Sequence, residues 1–363
     1  MLVSAAQANQ HIELLGAGSK QRLGGAHRKA DVSVSLAALN RVLEYEPNDL
    51  TVSVEAGMKW VALQSLLAAN RQMVPLDPPW FDDATVGGVI ATNTCGPRRR
   101  LYGSARDAVI GMKFATLQGT LVQSGGMVVK NVAGLDMGKL LIGSFGTLAA
   151  VVSVNFKLTP VPPVARTFGL SFETLDAVMK QRDQILQGVL QPAALDLLNP
   201  QAAATVGLEG WTLLLEAVGS QRVIDRYARE LSGARTIGQS IWRSIREYVP
   251  EFLHKHPLGS VVRISTPLSG LAAVAAEAPV PLVARAGNGI AYACFADCQS
   301  AYGWLKRVVA LGFKGVVEAV PPQGCRPEDQ WPRPQDDLVV MEKIKLMLDP
   351  GNLLNAGRLY GRL

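Results

Sequence analysis

Ala84-Thr-Val-Gly-Gly-Val-Ile-Ala-Thr-Asn-Thr-Cys-Gly96 is the stretch from which the rest of the chain can be read. Further glycine-rich runs follow closely: Gly103-Ser-Ala-Arg-Asp-Ala-Val-Ile-Gly111, then Lys130-Asn-Val-Ala-Gly-Leu-Asp136 with Gly143-Ser-Phe-Gly146. Glycine permits positive φ and lets the backbone approach a ligand closely, while short Thr, Asn and Ser side chains supply hydroxyl and amide donors. In this combination and order they suit the wall of a pocket for a large anionic ligand.

Upstream, Leu15-Gly16-Ala17-Gly18-Ser19-Lys20 follows a strand-like run, so its consecutive backbone N–H groups can converge on one concavity and hold a pyrophosphate. Ser19 adds a hydroxyl and Lys20 a positive charge. A dinucleotide-binding GxGxxG would need glycine where Gln21 stands, and a Walker A loop would need a GK[ST] ending that is absent. Taken alone, Gly16 to Lys20 is equally an ordinary β-turn. The second glycine block, about 65 residues on, weighs against that reading.

At 363 residues the chain has room for two or three well-buried domains. Hydrophobic residues make up 48%, charged residues 18%, and no apolar run approaches the ~20 residues needed to span a bilayer. Met1 to Gln10 lacks the basic start and apolar core of a secretion signal, so a cytoplasmic location is expected. The net charge of +6 is dispersed, with Arg98-Arg-Arg100 as its one run. That run reads as a solvated or partner-facing loop, and nucleic-acid binding is not expected. Four cysteines, at 95, 294, 298 and 325, have neither CxxC nor iron–sulfur spacing.

Strands are expected at Ile12 to Leu15, Val32 to Leu36, Thr51 to Glu55 and Val151 to Leu158, with a hairpin around Gly119. A helix over Trp60 to Ala69 would bury Val61, Leu63, Leu66 and Leu67. Pro160-Val-Pro-Pro163 closes this region. Beyond it, helical periods (Phe172, Leu175, Val178, Met179, Ile185, Leu186, Val189; then Val223, Ile224, Tyr227, Leu231) alternate with strands at Trp211 to Ala217, Ser260 to Ser265, Leu282 to Arg285 and Val316 to Val320. An antiparallel sheet covered by helices is expected, and two ferredoxin-like halves fit the alternation. A last helix, Asp337 to Met347, runs into Leu348-Asp-Pro-Gly-Asn-Leu-Leu-Asn-Ala-Gly-Arg358.

The glycine blocks, from about Leu14 to Pro160 and again from Leu348, resemble the FAD-binding domain shared by vanillyl-alcohol oxidase, p-cresol methylhydroxylase and the D-lactate and glycolate dehydrogenases. Within that family the chain is most similar to the smaller flavin subunit of bacterial glycolate oxidase. The resemblance implies an α+β fold: a p-cresol methylhydroxylase-type (PCMH-type) domain of two α+β subdomains over 1–163, a reduced cap-like α+β domain over 164–336, and a return segment over 337–363. It implies FAD contacts at Gly16, Ala17, Gly18, Ser19, Lys20, Pro78, Thr85, Gly87, Gly88, Thr92, Asn93 and Ala150, with Ala149 in place of the family's glycine. Ala356 likewise replaces the proline of the family's C-terminal motif. Tyr102-Gly103 and Arg106-Asp107 read as scaffold, as do Lys130, Asn131 and Asp136. Covalent attachment in this superfamily uses His or Cys near the ring. His11, His27, His254 and His256 lie outside the matched loops and Cys95 reads as a small buried residue, so noncovalent FAD is expected.

Oxidising a 2-hydroxy acid needs a proton acceptor and a cationic anchor for the carboxylate. Where catalytic relatives carry a His-Ala-Gly-Asp-Gly-Asn-Leu-His pattern, this chain has Arg285-Ala-Gly-Asn-Gly-Ile-Ala-Tyr292. Losing both imidazoles removes the main bonds to a divalent metal, so no metal site and no catalytic residue is assigned. The implied role is the FAD subunit of a glycolate oxidase complex, glycolate being oxidised to glyoxylate in a larger homologous subunit. An iron–sulfur subunit would carry electrons onward, and membrane contact would come only through partners. Two alternatives stand: a self-sufficient dehydrogenase using Arg285 and Tyr292 on the substrate, and a structural subunit without flavin.

Overall fold

Ile12–Leu15 (β1) lies parallel to Val32–Ser35 (β2), Ile12 opposite Val32 and Leu15 opposite Ser35. Ile12 is buried with Ala5, Val34, Leu117 and Leu354 in a small core of their own. The computed structural model describes residues 1–26, 29–128, 136–332 and 337–363. Two compact units emerge: Met1–Cys95 with Ser104–Val161 and Pro322–Leu363, and Gly96–Gly103 with Pro162–Pro321.

The first unit also holds a five-stranded antiparallel sheet built from Val42–Glu46 (β3), Thr51–Glu55 (β4), Val109–Ala115 (β6), Leu121–Gly125 (β7) and Ala150–Lys157 (β8). The order is β3-β4-β8-β6-β7. Gln72–Met73 (β5) and Thr159–Pro160 (β9) form a short separate pair. All of β4 is buried, as befits a strand flanked on both sides. Edge strand β3 is mostly exposed, so it carries no burial rhythm and sequence reading passed over it. The β6–β7 turn is the expected hairpin, with Gly119 at φ 83°, a value that favours glycine.

The helix Trp60–Ala68 buries Trp60, Leu63 and Leu67, leaving Leu66 exposed. The expected face of Val61, Leu63, Leu66 and Leu67 is therefore rotated. Trp60 sets it by packing edge-on against Phe156, ring centroids 6.0 Å apart.

In the second unit the strands are Val164–Phe172 (β10), Ala194–Leu198 (β11), Trp211–Gly219 (β12), Arg235–Ile237 (β13), Ser260–Ser265 (β14), Leu282–Arg285 (β15), Ile290–Phe295 (β16) and Lys314–Ala319 (β17). They form one antiparallel sheet, β13-β10-β12-β11-β15-β16-β14-β17. With the helices Leu175–Gln187 and Gln221–Glu230, strands β10 to β13 trace one βαββαβ half. With Leu271–Ala276 and Cys298–Ala310, strands β14 to β17 trace a second. The halves join where β11 meets β15, pairing Asp196 with Arg285, Leu197 with Ala284 and Leu198 with Val283. The helix Leu175–Gln187 buries Val178, Met179, Arg182 and Ile185, whereas Val189 lies beyond its end and is exposed.

Two expected boundaries move. The chain re-enters the first unit at Pro322 instead of 337, where the buried Gln330 donates to the Gly24 carbonyl at 2.9 Å. Gly96–Gly103, expected in the first domain, joins the second unit, because the Arg98 guanidinium grips the buried Glu216 carboxylate through two bonds of 2.9 and 2.8 Å. Arg100 donates to Gln191 at 3.0 Å. The basic run is thus a docked segment of that unit rather than a solvated loop. His27 and the stretch 130–135 lie outside the described residues. No helix among the described residues is long and apolar enough to cross a membrane.

Candidate functional site

β1 ends at Leu15 and the chain turns at once through Gly16 to Lys20. The backbone N–H groups of Ala17, Gly18 and Ser19 find no acceptor among the described residues. Gly18 sits at φ 70°. A Cβ on Gly16 would fall 2.2 Å from Thr85 Oγ1, so the two glycine blocks touch and only glycine fits between them. Thr85 in turn accepts from Gly88 N at 3.3 Å and caps the helix Val86–Thr92, while Gly87 packs on Ala56. Phe145 N and Gly143 N donate to the carbonyls of Ala91 and Ile90, which ties the 143–147 turn to the same helix.

These elements line two adjoining open clefts, which share Leu14, Gly16, Thr85, Gly88, Phe145 and Asn355 among other residues. Of the residues expected to bind, Gly16, Ala17, Gly18, Ser19, Lys20, Thr85, Gly88 and Thr92 line the first, and Gly87 and Ala150 the second. Pro78 and Asn93 line neither. Pro78 is buried, and Asn93 closes its helix at φ 49° with its buried Oδ1 meeting no donor among the described residues. Lys20 is buried too, its ammonium 5.8 Å from the centroid of the Trp80 ring. Unsatisfied N–H donors beside a lysine, on a wall with no room for a Cβ, fit an elongated pyrophosphate-bearing cofactor such as FAD.

Two residues that the sequence reading did not assign complete the wall. Asn355 accepts from Leu14 N at 2.7 Å and donates to the Phe145 carbonyl at 2.7 Å. Arg358 is buried, and burial lowers its guanidinium to about 10, which leaves it charged at neutral pH. The signal for both was their place in the Asn355-Ala-Gly-Arg358 run, already read as returning to this domain. Asp107 proves to be scaffold as expected, accepting from Ser104 N and Oγ at 2.8 and 3.0 Å. Cys95 is half-buried, its thiol 3.6 Å from the Asn93 carbonyl.

In the second unit Arg285 is 7% exposed and pairs with the fully buried Asp196 opposite it on the sheet, with its guanidinium 5.6 Å from the Tyr292 ring centroid. An arginine neutralised in this way is a poor anchor for a substrate carboxylate, which weighs against the role considered for Arg285. Among the described residues, no three His, Cys, Asp or Glu side chains come together to hold a metal.

A family model for an FAD binding domain matches residues 1–125. The chain is 32% identical over 228 residues to glycolate oxidase subunit GlcE of Escherichia coli, covering 62% of this chain and 61% of that protein. It is 32% identical over 161 residues to glycolate oxidase subunit GlcD of Bacillus subtilis, covering 44% and 34%. To D-2-hydroxyglutarate dehydrogenase of Xanthomonas citri it is 33% identical over 173 residues, covering 47% and 37%. The chain therefore spans less than two thirds of the length of each of these relatives. Its fold matches that of 4-ethylphenol oxidase from Gulosibacter chungangensis, with a TM-score of 0.74 at 15% identity over 99% of this chain and 86% of that one. Alkyldihydroxyacetonephosphate synthase gives a TM-score of 0.73 at 17% identity, over 98% and 73%.

Proposed function

We infer that this chain, which carries an FAD-binding domain in a PCMH-type fold, is the accessory flavin subunit of a glycolate oxidase complex. The observation that carries the reading is the combination of a cofactor wall, whose donors at residues 17 to 19 have no acceptor among the described residues, with a second unit in which Arg285, the carboxylate anchor considered from the sequence, is held by Asp196. FAD supplies hydride acceptance and onward electron transfer. The chain's own residues bind it noncovalently: Gly16 to Lys20 hold the pyrophosphate, Thr85, Gly87, Gly88 and Thr92 wrap the flavin, and the backbone at Ala150 meets the adenosine side. Pro78 and Asn93 shape the neighbouring turns. Proton abstraction from glycolate belongs to the larger homologous subunit, and an iron–sulfur subunit takes the electrons. The complex works in the cytoplasm, at the inner face of the membrane through its partners.

The test is an anaerobic visible spectrum of the purified chain, reconstituted with FAD, before and after addition of glycolate or D-lactate. Bound flavin that stays oxidised supports the accessory role. Bleaching would move catalysis into this chain, and failure to retain FAD would remove the flavin-subunit reading altogether.

A further inference from the structure

The loop that offers donors to the cavity does not hold its own shape. Gly16 to Ser19 make no backbone hydrogen bonds among the described residues, and the limb that follows is gripped from a segment more than 300 residues later. Arg358 Nη1 donates to the carbonyls of Gln21 and Gly25 at 2.7 and 2.9 Å, and Nη2 donates to that of Lys20 at 3.1 Å. A guanidinium presents several N–H donors in a rigid planar fork, so three carbonyls bound to one fork are fixed relative to each other. The glycine pair beneath is cut to admit this contact. A Cβ on Gly24 would lie 2.3 Å from the Arg358 carbonyl, and one on Gly25 2.0 Å from the Gly357 carbonyl. Three residues earlier Asn355 ties Leu14, at the end of β1, to the Phe145 turn, so one short segment sets both the loop and the wall beside it. The guanidinium also lies 5.8 Å from the Phe145 ring centroid, which limits its freedom to swing away.

We propose that Arg358 is a positioning residue for the dinucleotide half of the cofactor. It holds Gly16 to Lys20 in the form whose N–H groups accept a pyrophosphate, and it adds a buried positive charge behind that loop. This rests on the flavin-binding reading above. Its contribution is specific to a ligand that carries phosphates, which separates it from a general role in folding.

The experiment titrates the flavin-free chain with FAD and with riboflavin, which has neither phosphate nor adenosine, for wild type, Arg358→Gln and Arg358→Lys. Arg358→Gln is expected to weaken FAD by about 10- to 100-fold, the range typical when a group that orients a ligand-holding residue is removed. Riboflavin binding is expected to stay unchanged. Arg358→Lys keeps the charge without the fork and is expected to fall between wild type and Arg358→Gln for FAD alone. Unchanged FAD affinity in Arg358→Gln, or equal loss of FAD and riboflavin, would overturn the proposal. If Arg358→Gln is not recovered folded, Arg358→Lys is judged by the same FAD-to-riboflavin comparison. Wild type that binds no FAD refutes the flavin-binding reading itself, whereas wild-type binding with an unaffected variant refutes only the role of Arg358.

Discussion

Gly16 and Thr85 come from separate glycine blocks and meet so closely that each constrains the other. Gly16→Ala places a methyl on the Thr85 hydroxyl and is expected to cost about 1–3 kcal/mol, the usual range for overpacking. Thr85→Ala removes a helix cap worth about 1 kcal/mol. Because Thr85→Ala also removes the atom that Gly16→Ala strikes, the double variant is expected to lose less than the sum of the two, with a coupling of about 0.5–3 kcal/mol. Urea unfolding of all four proteins measures it, and strict additivity would show that the two residues do not touch. The second residue-scale case is Asp196. Burial pushes its carboxyl up to about 6 despite the adjacent Arg285 guanidinium, while an unfolded Asp titrates near ~3.9. The folded chain therefore holds a proton that the unfolded chain has already released. This contribution to stability is complete below about pH 4 and is lost as pH rises through about 6. Wild type should lose stability relative to Asp196→Asn between pH 4 and 7, read as melting temperature across that range; a constant gap would exclude this titration.

At the scale of elements, the helix Leu338–Leu348 rests Ile344 and Leu348 against the core yet buries a lysine most deeply. Its one fully buried residue is Lys345, while Val339, Val340, Leu346 and Met347 are exposed. The ammonium is satisfied by the carbonyls of Thr147 and Leu354 at 2.7 and 3.0 Å and by the Asp349 carboxylate, and burial lowers its pKa. Asp349 also accepts from Leu353 N and Leu354 N, at 2.9 and 2.8 Å, so the pair anchors the segment that carries Asn355 and Arg358. Lys345→Met strands the Asp349 carboxylate and is expected to cost about 3–5 kcal/mol, as for any broken buried pair. Val340→Ser on the exposed face is expected to stay within about 0.5 kcal/mol. Chemical denaturation ranks the two, and the reverse order would reassign the buried face. Sequence periodicity found this helix but not its orientation, because apolar spacing says which residues share a face and nothing about a lysine met by three acceptors. The same limit explains Trp60–Ala68, whose period was right and whose face was set by one aromatic contact.

At the scale of the molecule, a stretch from within the sequence of the first unit is built into the second. Gly96–Gly103 is held there by Arg98, whose guanidinium meets a Glu216 carboxylate that is itself buried. Arg98→Met leaves that carboxylate buried without its cation, and since Arg98 is partly exposed the expected cost is about 3 kcal/mol, the low end for broken buried pairs. Adding Glu216→Leu should recover much of it, as apolar pairs of similar volume often replace buried ion pairs without loss. Calorimetric melting of the single and double variants checks both steps, and no recovery would mean that Glu216 is needed for another contact. The local grammar of the chain was enough for the α+β class, the antiparallel second sheet, most strands and the two glycine walls. Those features depend on neighbours in sequence: positive φ, alternation and turn chemistry are written in the identity of each residue and the few beside it. Only the tertiary structure decided which charges are spent. Arg285 looked available until Asp196, 89 residues away, closed on it, and Arg358 was silent until its fork met carbonyls more than 300 residues earlier. A charged side chain's role depends on the partner brought to it by folding, and that pairing has no local signature.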